Sequence, residues 1–274
     1  MDLSNKKILS LCGGGIRGIA HLGVLKYLEE NNIIKNIEIF SGTSIGAILV
    51  SLLILGYSVN DIFDFVLSLD FTRIFQFDKL ETLTDHYGFD KGTRFDYIFK
   101  TLISNKGYDP DITLKELYDI TKKKLIVTST CLNTGNGEYI DHINNPDLQL
   151  KLAVRMSACI PLLMTPIIYN NKTYIDGGCT IPLPLIIFNN QIDELIAINL
   201  SFTNNYIEIT NLELYIYSIF KTMYNNLTNI IYDNKKIPII DIPINIFFTE
   251  FDIDKDKKKY VFDIGYKKMK ELSE

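Results

Sequence analysis

The chain is predicted to be an α/β protein with a mostly parallel sheet covered by helices. Two observations predict it: short apolar runs that end at glycines, and helical periodicity directly after each of them. A third is that this pair occurs twice in succession at the start, giving a β-α-β-α opening. With 274 residues, 47% of them apolar, the chain can bury one large core, and a single domain over residues 1–274 is expected. No internal repeat, low-complexity linker or abrupt change of composition divides it.

In chain order, Lys7 to Leu11 reads as a strand running into glycines, and Ile19, Leu22, Leu25 and Leu28 mark the apolar stripe of a helix. Ile37 to Phe40 is a second short strand. It passes through Ser41-Gly42-Thr43-Ser44-Ile45-Gly46 into an apolar helix, Ala47 to Leu55, far short of the ~20 residues that span a bilayer. From Asn60 to Thr121 the pattern is mostly helical, and the polar and aromatic stretch Asp78 to Phe95 is expected to form a cap or lid. Leu125 to Cys131 is strongly β-favouring, with a turn at Asn133 to Gly137 and a partner strand at Glu138 to Ile140. Leu148 to Ser157 reads as a helix stopped before Pro161. Ile167 to Ile175 reads as a hairpin around Asn170 and Asn171, Glu194 to Leu200 as a buried strand, and Lys257 to Glu274 as a charged amphipathic helix.

A net charge of −5 argues against nucleic acid as the main partner, since phosphate binding relies on a surplus of Lys and Arg. The basic clusters Lys122 to Lys124 and Lys255 to Lys259 are read as solvated faces. Cys12, Cys131, Cys159 and Cys179 form no C-x-x-C pair and lack histidines at zinc spacing, so neither a disulfide framework nor a metal site is expected. No apolar leader follows the basic residues at the N-terminus, and an intracellular protein without a transmembrane helix is expected.

Gly42-Thr43-Ser44-Ile45-Gly46 is a G-x-S-x-G sequence in strand-to-helix context. Small residues flanking Ser44 permit a tight turn that lifts its hydroxyl out of the sheet, and the helix N-terminus favours developing negative charge. Gly13-Gly14-Gly15-Ile16-Arg17-Gly18 also fits a dinucleotide-binding fingerprint. A dinucleotide site wants an acidic residue at the end of the second strand, where this chain has Phe40 and Ser41, and Glu38 is a poor substitute. The other task for such a turn is to aim backbone N–H groups at an oxyanion, with Gly14 and Gly15 as candidates and Arg17 orienting the loop or attracting an anionic headgroup. An anion nest without catalysis is the plainer alternative.

A nucleophilic serine needs a base, and the three histidines are His21, His86 and His142. None lies late in the chain, where a Ser-Asp-His order would need it, which points to another base. Asp176 sits at the end of a β-like run, before Gly177 and Gly178. Partly desolvated, its carboxylate would accept the Ser44 proton, although in isolation an Asp-Gly turn is the simpler reading.

Taken together, Gly13–Gly18, Gly42–Gly46 and Asp176–Gly178 in this order and spacing resemble the patatin-like phospholipase family. His21 to Leu25, Arg155 to Pro161 and Ile175 to Pro184 agree, and the similarity runs from about Lys7 to Leu200. The resemblance implies a three-layer α/β/α fold and a catalytic dyad of Ser44 and Asp176. It assigns Gly13, Gly14, Gly15, Ile16, Arg17 and Gly18 to the oxyanion hole, Gly42, Thr43, Ile45 and Gly46 to the nucleophile elbow, and Gly177 and Gly178 to the base loop. It further implies hydrolysis of phospholipid or other lipid esters without metal or cofactor, and peripheral contact with a membrane. Many relatives carry Asn where this chain has Ile181, so substrate contacts or loop geometry are expected to differ there. A lipid transacylase and a non-catalytic lipid-binding module of the same fold are the alternatives.

Overall fold

A computed structural model describes residues 3–74, 80–202, 206–233 and 238–273. The chain runs β1 (Ile8–Leu11), α1 (Ile19–Glu30), β2 (Ile39–Gly42), α2 (Ile45–Ile54), α3 (Val59–Ser68), α4 (Leu80–His86), β3 (Gly88–Asp90), α5 (Thr93–Asn105), α6 (Leu114–Thr121) and β4 (Lys124–Cys131). It continues through β5 (Asn136–Asp141), α7 (Leu150–Ser157), β6 (Leu162–Met164), β7 (Ile167–Tyr169), β8 (Lys172–Asp176), β9 (Leu195–Phe202), α8 (Leu212–Asp233), β10 (Ile239–Ile244) and α9 (Lys255–Ser273).

Eight strands form one mixed sheet in the order β10-β9-β1-β2-β4-β8-β7, with β5 also pairing β4. The five strands from β10 to β4 are parallel, β5 and β8 pair antiparallel with β4, and β7 pairs antiparallel with β8. Helices cover both faces, giving the expected α/β architecture. Parallel strands covered on both sides must be apolar throughout, and β1 and the first six residues of β9 are buried without alternation. β1 lies between β9 and β2, which leave it in opposite directions along the sheet, so the carboxyl ends of these strands border a topological switch point.

Local chemistry explains the boundaries. Ser58 and Thr113 close capping boxes with Asp61 and Glu116 at the starts of α3 and α6. Asn170 and Asn171 take positive φ at the β7–β8 turn, as a two-residue hairpin requires. The second strand lies two residues later than its apolar run suggests, because its register with β1 carries it to Gly42. Within the mostly helical 60–121 segment, β3 pairs in parallel with β6 as a separate two-stranded sheet. The first residues of the expected lid stretch, Asp78 and Lys79, lie outside the described residues, as does Glu274 at the end of the closing helix.

In the basic clusters Lys122, Lys255 and Lys259 are solvent-exposed, as expected of solvated faces, while two other lysines are tied into the structure. Lys124 pairs with Asp141, and Lys258, buried in α9, donates to the Val66 and Leu69 carbonyls at the end of α3. All four cysteines are free thiols. Among the described residues no helix is long and apolar enough to cross a membrane.

Candidate active site

Ser44 stands between β2 and α2 with φ 55° and ψ −120°, a conformation that costs a non-glycine residue about 1–3 kcal/mol. The surroundings over-determine it. The Ser44 N–H donates to Ser157 Oγ at 3.0 Å, and the Gly46 N–H closes the turn on the Thr43 carbonyl at 2.8 Å. Thr43, fully buried, shares a hydrogen bond with Thr128 and donates to the Ile181 carbonyl at 2.8 Å, tying the elbow to β4 and to the loop after Asp176. A Cβ at Gly46 would sit 2.6 Å from the Leu11 carbonyl oxygen, so only glycine lets α2 approach β1 this closely.

Asp176 ends β8, opposite Ser129 of β4, with its own N–H on the Cys159 carbonyl. Its carboxylate accepts the Gly178 N–H at 2.7 Å and lines the same cavity as Ser44. Burial pushes its pKa up to about 6, against the lowering effect of hydrogen bonding from the Ser44 side chain and the Gly178 N–H. Ser44 and Asp176 are 6% and 7% exposed, so the pair is largely shielded from water.

The glycine loop lies beside them. The Gly13 N–H is engaged by the Pro182 carbonyl, that of Ile16 by Phe248 and that of Arg17 by Gly14. Among the described hydrogen bonds neither the Gly14 nor the Gly15 N–H donates, and both residues line the same cavity as Ser44. Gly15 has φ +56°, and a Cβ there would meet the Phe248 carbonyl oxygen at 2.3 Å. Gly18 begins α1 behind the loop and packs against Ile45.

Arg17 is 1% exposed. Its guanidinium lies 3.5 Å from the centre of the Phe202 ring and donates to the Gly14, Leu200 and Ser201 carbonyls. It clamps the loop to the end of β9 while forming part of the cavity wall.

The histidines sit elsewhere. His21 is buried, with Nε2 3.1 Å from the Cys12 carbonyl oxygen, and burial lowers its pKa to about 4, which keeps it neutral. His142 stacks on Tyr118, and His86 ends α4. Ile181 packs its side chain over Gly137 and lines neither cavity at Ser44, while its carbonyl makes the bond to Thr43.

The site cavity, partly open to solvent, lies between Ser44, Asp176, Arg17 and a wall of Phe202, Phe220, Met223, Tyr224 and Phe248. Sequence reasoning missed that wall, although Tyr217, Phe220 and Tyr224 recur at helical spacing and mark an aromatic face on α8. Ser157 was visible only as part of a longer matching segment. Among the described residues no cluster of three or more His, Cys, Asp or Glu is placed to hold a metal ion.

The class is thus an α/β protein with a strained serine at a strand-to-helix elbow, facing a buried carboxyl and a glycine loop. The family model for patatin-like phospholipases matches residues 9–189, and the chain belongs to that family. Uncharacterized protein R571 of Acanthamoeba polyphaga mimivirus is 28% identical over 98% of this chain and 94% of its own length. The probable lipid hydrolase 463L of Invertebrate iridescent virus 6 is 34% identical over 63% of this chain and 59% of its own. Among solved structures, VipD from Legionella pneumophila superposes with a TM-score of 0.68 at 18% identity, over 98% of this chain and 66% of VipD. The type III effector ExoU gives 0.54 at 17% identity, over 98% of this chain and 53% of ExoU. The chain therefore spans about two thirds or less of these last three proteins. The family is one of lipid hydrolases.

Proposed function

We propose that the chain hydrolyses acyl esters of phospholipids or related lipids through a dyad of Ser44 and Asp176, with the oxyanion held by the Gly14 and Gly15 N–H groups. The observation that carries this reading is that the strained Ser44 shares one cavity with a buried carboxyl whose pKa is near 6. At neutral pH Asp176 is mainly ionised and takes the Ser44 proton as Oγ attacks the ester carbonyl carbon. The carbonyl oxygen becomes an oxyanion in front of the two undonated N–H groups. Collapse breaks the bond to the alcohol oxygen, which leaves with the proton from Asp176, and the acyl group stays on Ser44. Water then attacks, Asp176 takes its proton, and Ser44 recovers a proton as the fatty acid departs.

The lipid character of the substrate is supported by family membership and by the iridovirus relative described as a probable lipid hydrolase. Peripheral contact with a lipid surface belongs to the same reading. Leu212, Tyr215, Ile219, Met223 and Ile230 form an exposed apolar stripe at helical spacing on α8, and Met223 also lines the cavity.

Release of nitrophenol from a short-chain p-nitrophenyl ester and of fatty acid from mixed phospholipid vesicles tests the chemistry. Ser44→Ala and Asp176→Asn are expected to lower kcat/KM by about 10³-fold or more. Wild-type rates in either variant would remove that residue from the mechanism.

A further inference from the structure

Two cavities meet at Ser44, and they differ in character. The one under α8 has Arg17 and Asp176 on its wall. The second lies between α1, α2, α3 and α5, with Leu22, Ile48, Leu49, Val66, Phe71 and Phe95 among its lining residues. Apart from Ser44 itself, every side chain that lines it among the described residues is apolar. Ile48, Val66, Phe71 and Phe95 remain only partly buried although they pack against the core, because among the described residues nothing covers the faces they turn to this space. The sheet edge is not involved. The cavity is a gap left between helices, and Ser44 is where the two spaces join.

We infer that the wholly apolar cavity is the acyl-chain subsite, so that the fatty acyl group of the ester lies between α2, α3 and α5 while the alcohol portion occupies the cavity under α8, where Arg17 and Asp176 interrupt an otherwise aromatic wall. This rests on the proposed attack by Ser44. A glycerol hydroxyl or phosphate in the apolar cavity would lose its hydration with no hydrogen-bond partner in return, whereas each methylene placed there leaves water. Reversing the two halves would strand the alkyl chain beside Arg17 and Asp176. Ile48 fixes the entrance: it lies one helical turn beyond Ser44, and its N–H bonds the Ser44 carbonyl at 3.1 Å. Its side chain therefore flanks the first methylenes of an acyl group on the serine. Val66 and Phe95 reach the cavity from α3 and α5, so the segment that follows the elbow sets how much chain is accommodated.

Two measurements test this. In the first, kcat/KM for p-nitrophenyl dodecanoate is divided by that for the butyrate in wild type, Ile48→Trp, Val66→Trp and Met223→Trp proteins. The ratio is expected to fall roughly tenfold or more in the Ile48 and Val66 variants. A ratio unchanged in both and lowered by Met223→Trp would put the acyl chain under α8 and overturn the assignment.

The second needs no turnover: a fluorescent dansyl-undecanoate is bound to Ser44→Ala protein and displaced with dodecanoate, with and without Ile48→Trp. Weakening by roughly tenfold in the double variant supports the subsite. Equal affinity, or no binding by the Ser44→Ala parent, overturns it. If wild type cleaves no ester yet Ile48→Trp abolishes fatty-acid binding, the reaction assigned to Ser44 fails and the subsite stands.

Discussion

Asp176 is held where its charge is least favoured, and that governs how the molecule responds to pH. Its folded pKa of about 6 lies above the ordinary carboxyl value of 3.8, so the folded state holds the proton more tightly than the unfolded chain. The stability this supplies is present below the unfolded value and lost as pH rises through about 6, amounting to about 3 kcal/mol. Activity runs the other way, because the base works ionised: kcat/KM is expected to rise through pH 6 and level off above it. Asp176→Asn should then combine lost activity with a higher thermal midpoint at pH 8, and a much smaller gain at pH 4. An equal gain at both, by calorimetry, would show that burial is not what shifts the carboxyl. The two side chains proposed to react were legible in the sequence because each sits in a short motif whose glycines serve the local turn. The narrowing of the proposed oxyanion donors to Gly14 and Gly15 was not, because Ile16 loses its N–H to Phe248, which only the fold brings to the loop. The same holds for Ser157. Ser157→Ala leaves the buried Ser44 N–H without an acceptor and is expected to cost about 1–3 kcal/mol, read as a lower denaturant midpoint with a reduced kcat.

Elements carry the next layer. The strand-to-helix elbow depends on how closely α2 approaches β1, and Gly46→Ala would drive a methyl group into the Leu11 and Cys12 carbonyls. Neither backbone has room to yield, so loss of about 3 kcal/mol or failure to accumulate soluble protein is expected. Wild-type stability in that variant, by urea titration, would mean the elbow is looser than it looks. Most elements up to β9 were readable because parallel strands and amphipathic helices each impose a single period on their residues. β3 and β6 were not: three residues each, paired across the span from Gly88 to Met164, they show no period in isolation. α8 and β10 fell past the last clear motif, and β10 contains Pro243, which argues against a central strand and suits the sheet edge where it lies. The apolar stripe on α8 gives this scale its own prediction. Ile219→Asp is expected to lower the rate on phospholipid vesicles relative to that on a soluble ester, by about tenfold. Equal loss on both substrates would separate that face from lipid contact.

At the scale of the whole molecule, the first helix and the last one are a single packing unit. A Cβ at Gly23 would lie 1.9 Å from the Phe262 carbonyl oxygen, and one at Gly265 2.0 Å from that of Ala20, so α1 and α9 meet backbone to backbone. Phe262 stacks on Phe63 of α3, and Tyr266 meets Tyr27 edge to face and donates to Glu30. Gly265→Leu is expected to cost about 3 kcal/mol or more and to lower activity with stability, since α1 carries the glycine loop at its start.

This pairing also orders events in time. During synthesis β1, the elbow and Asp176 leave the ribosome well before Lys255, and the face of α1 that will receive α9 stays bare until then. The Phe248 carbonyl that anchors Ile16 arrives late as well. Under the proposed chemistry, a growing polypeptide already has its nucleophile and base but lacks the supports that seat the loop beside them. Under that chemistry, the glycine loop takes its seat beside Ser44 only once Phe248 and α9 are in place.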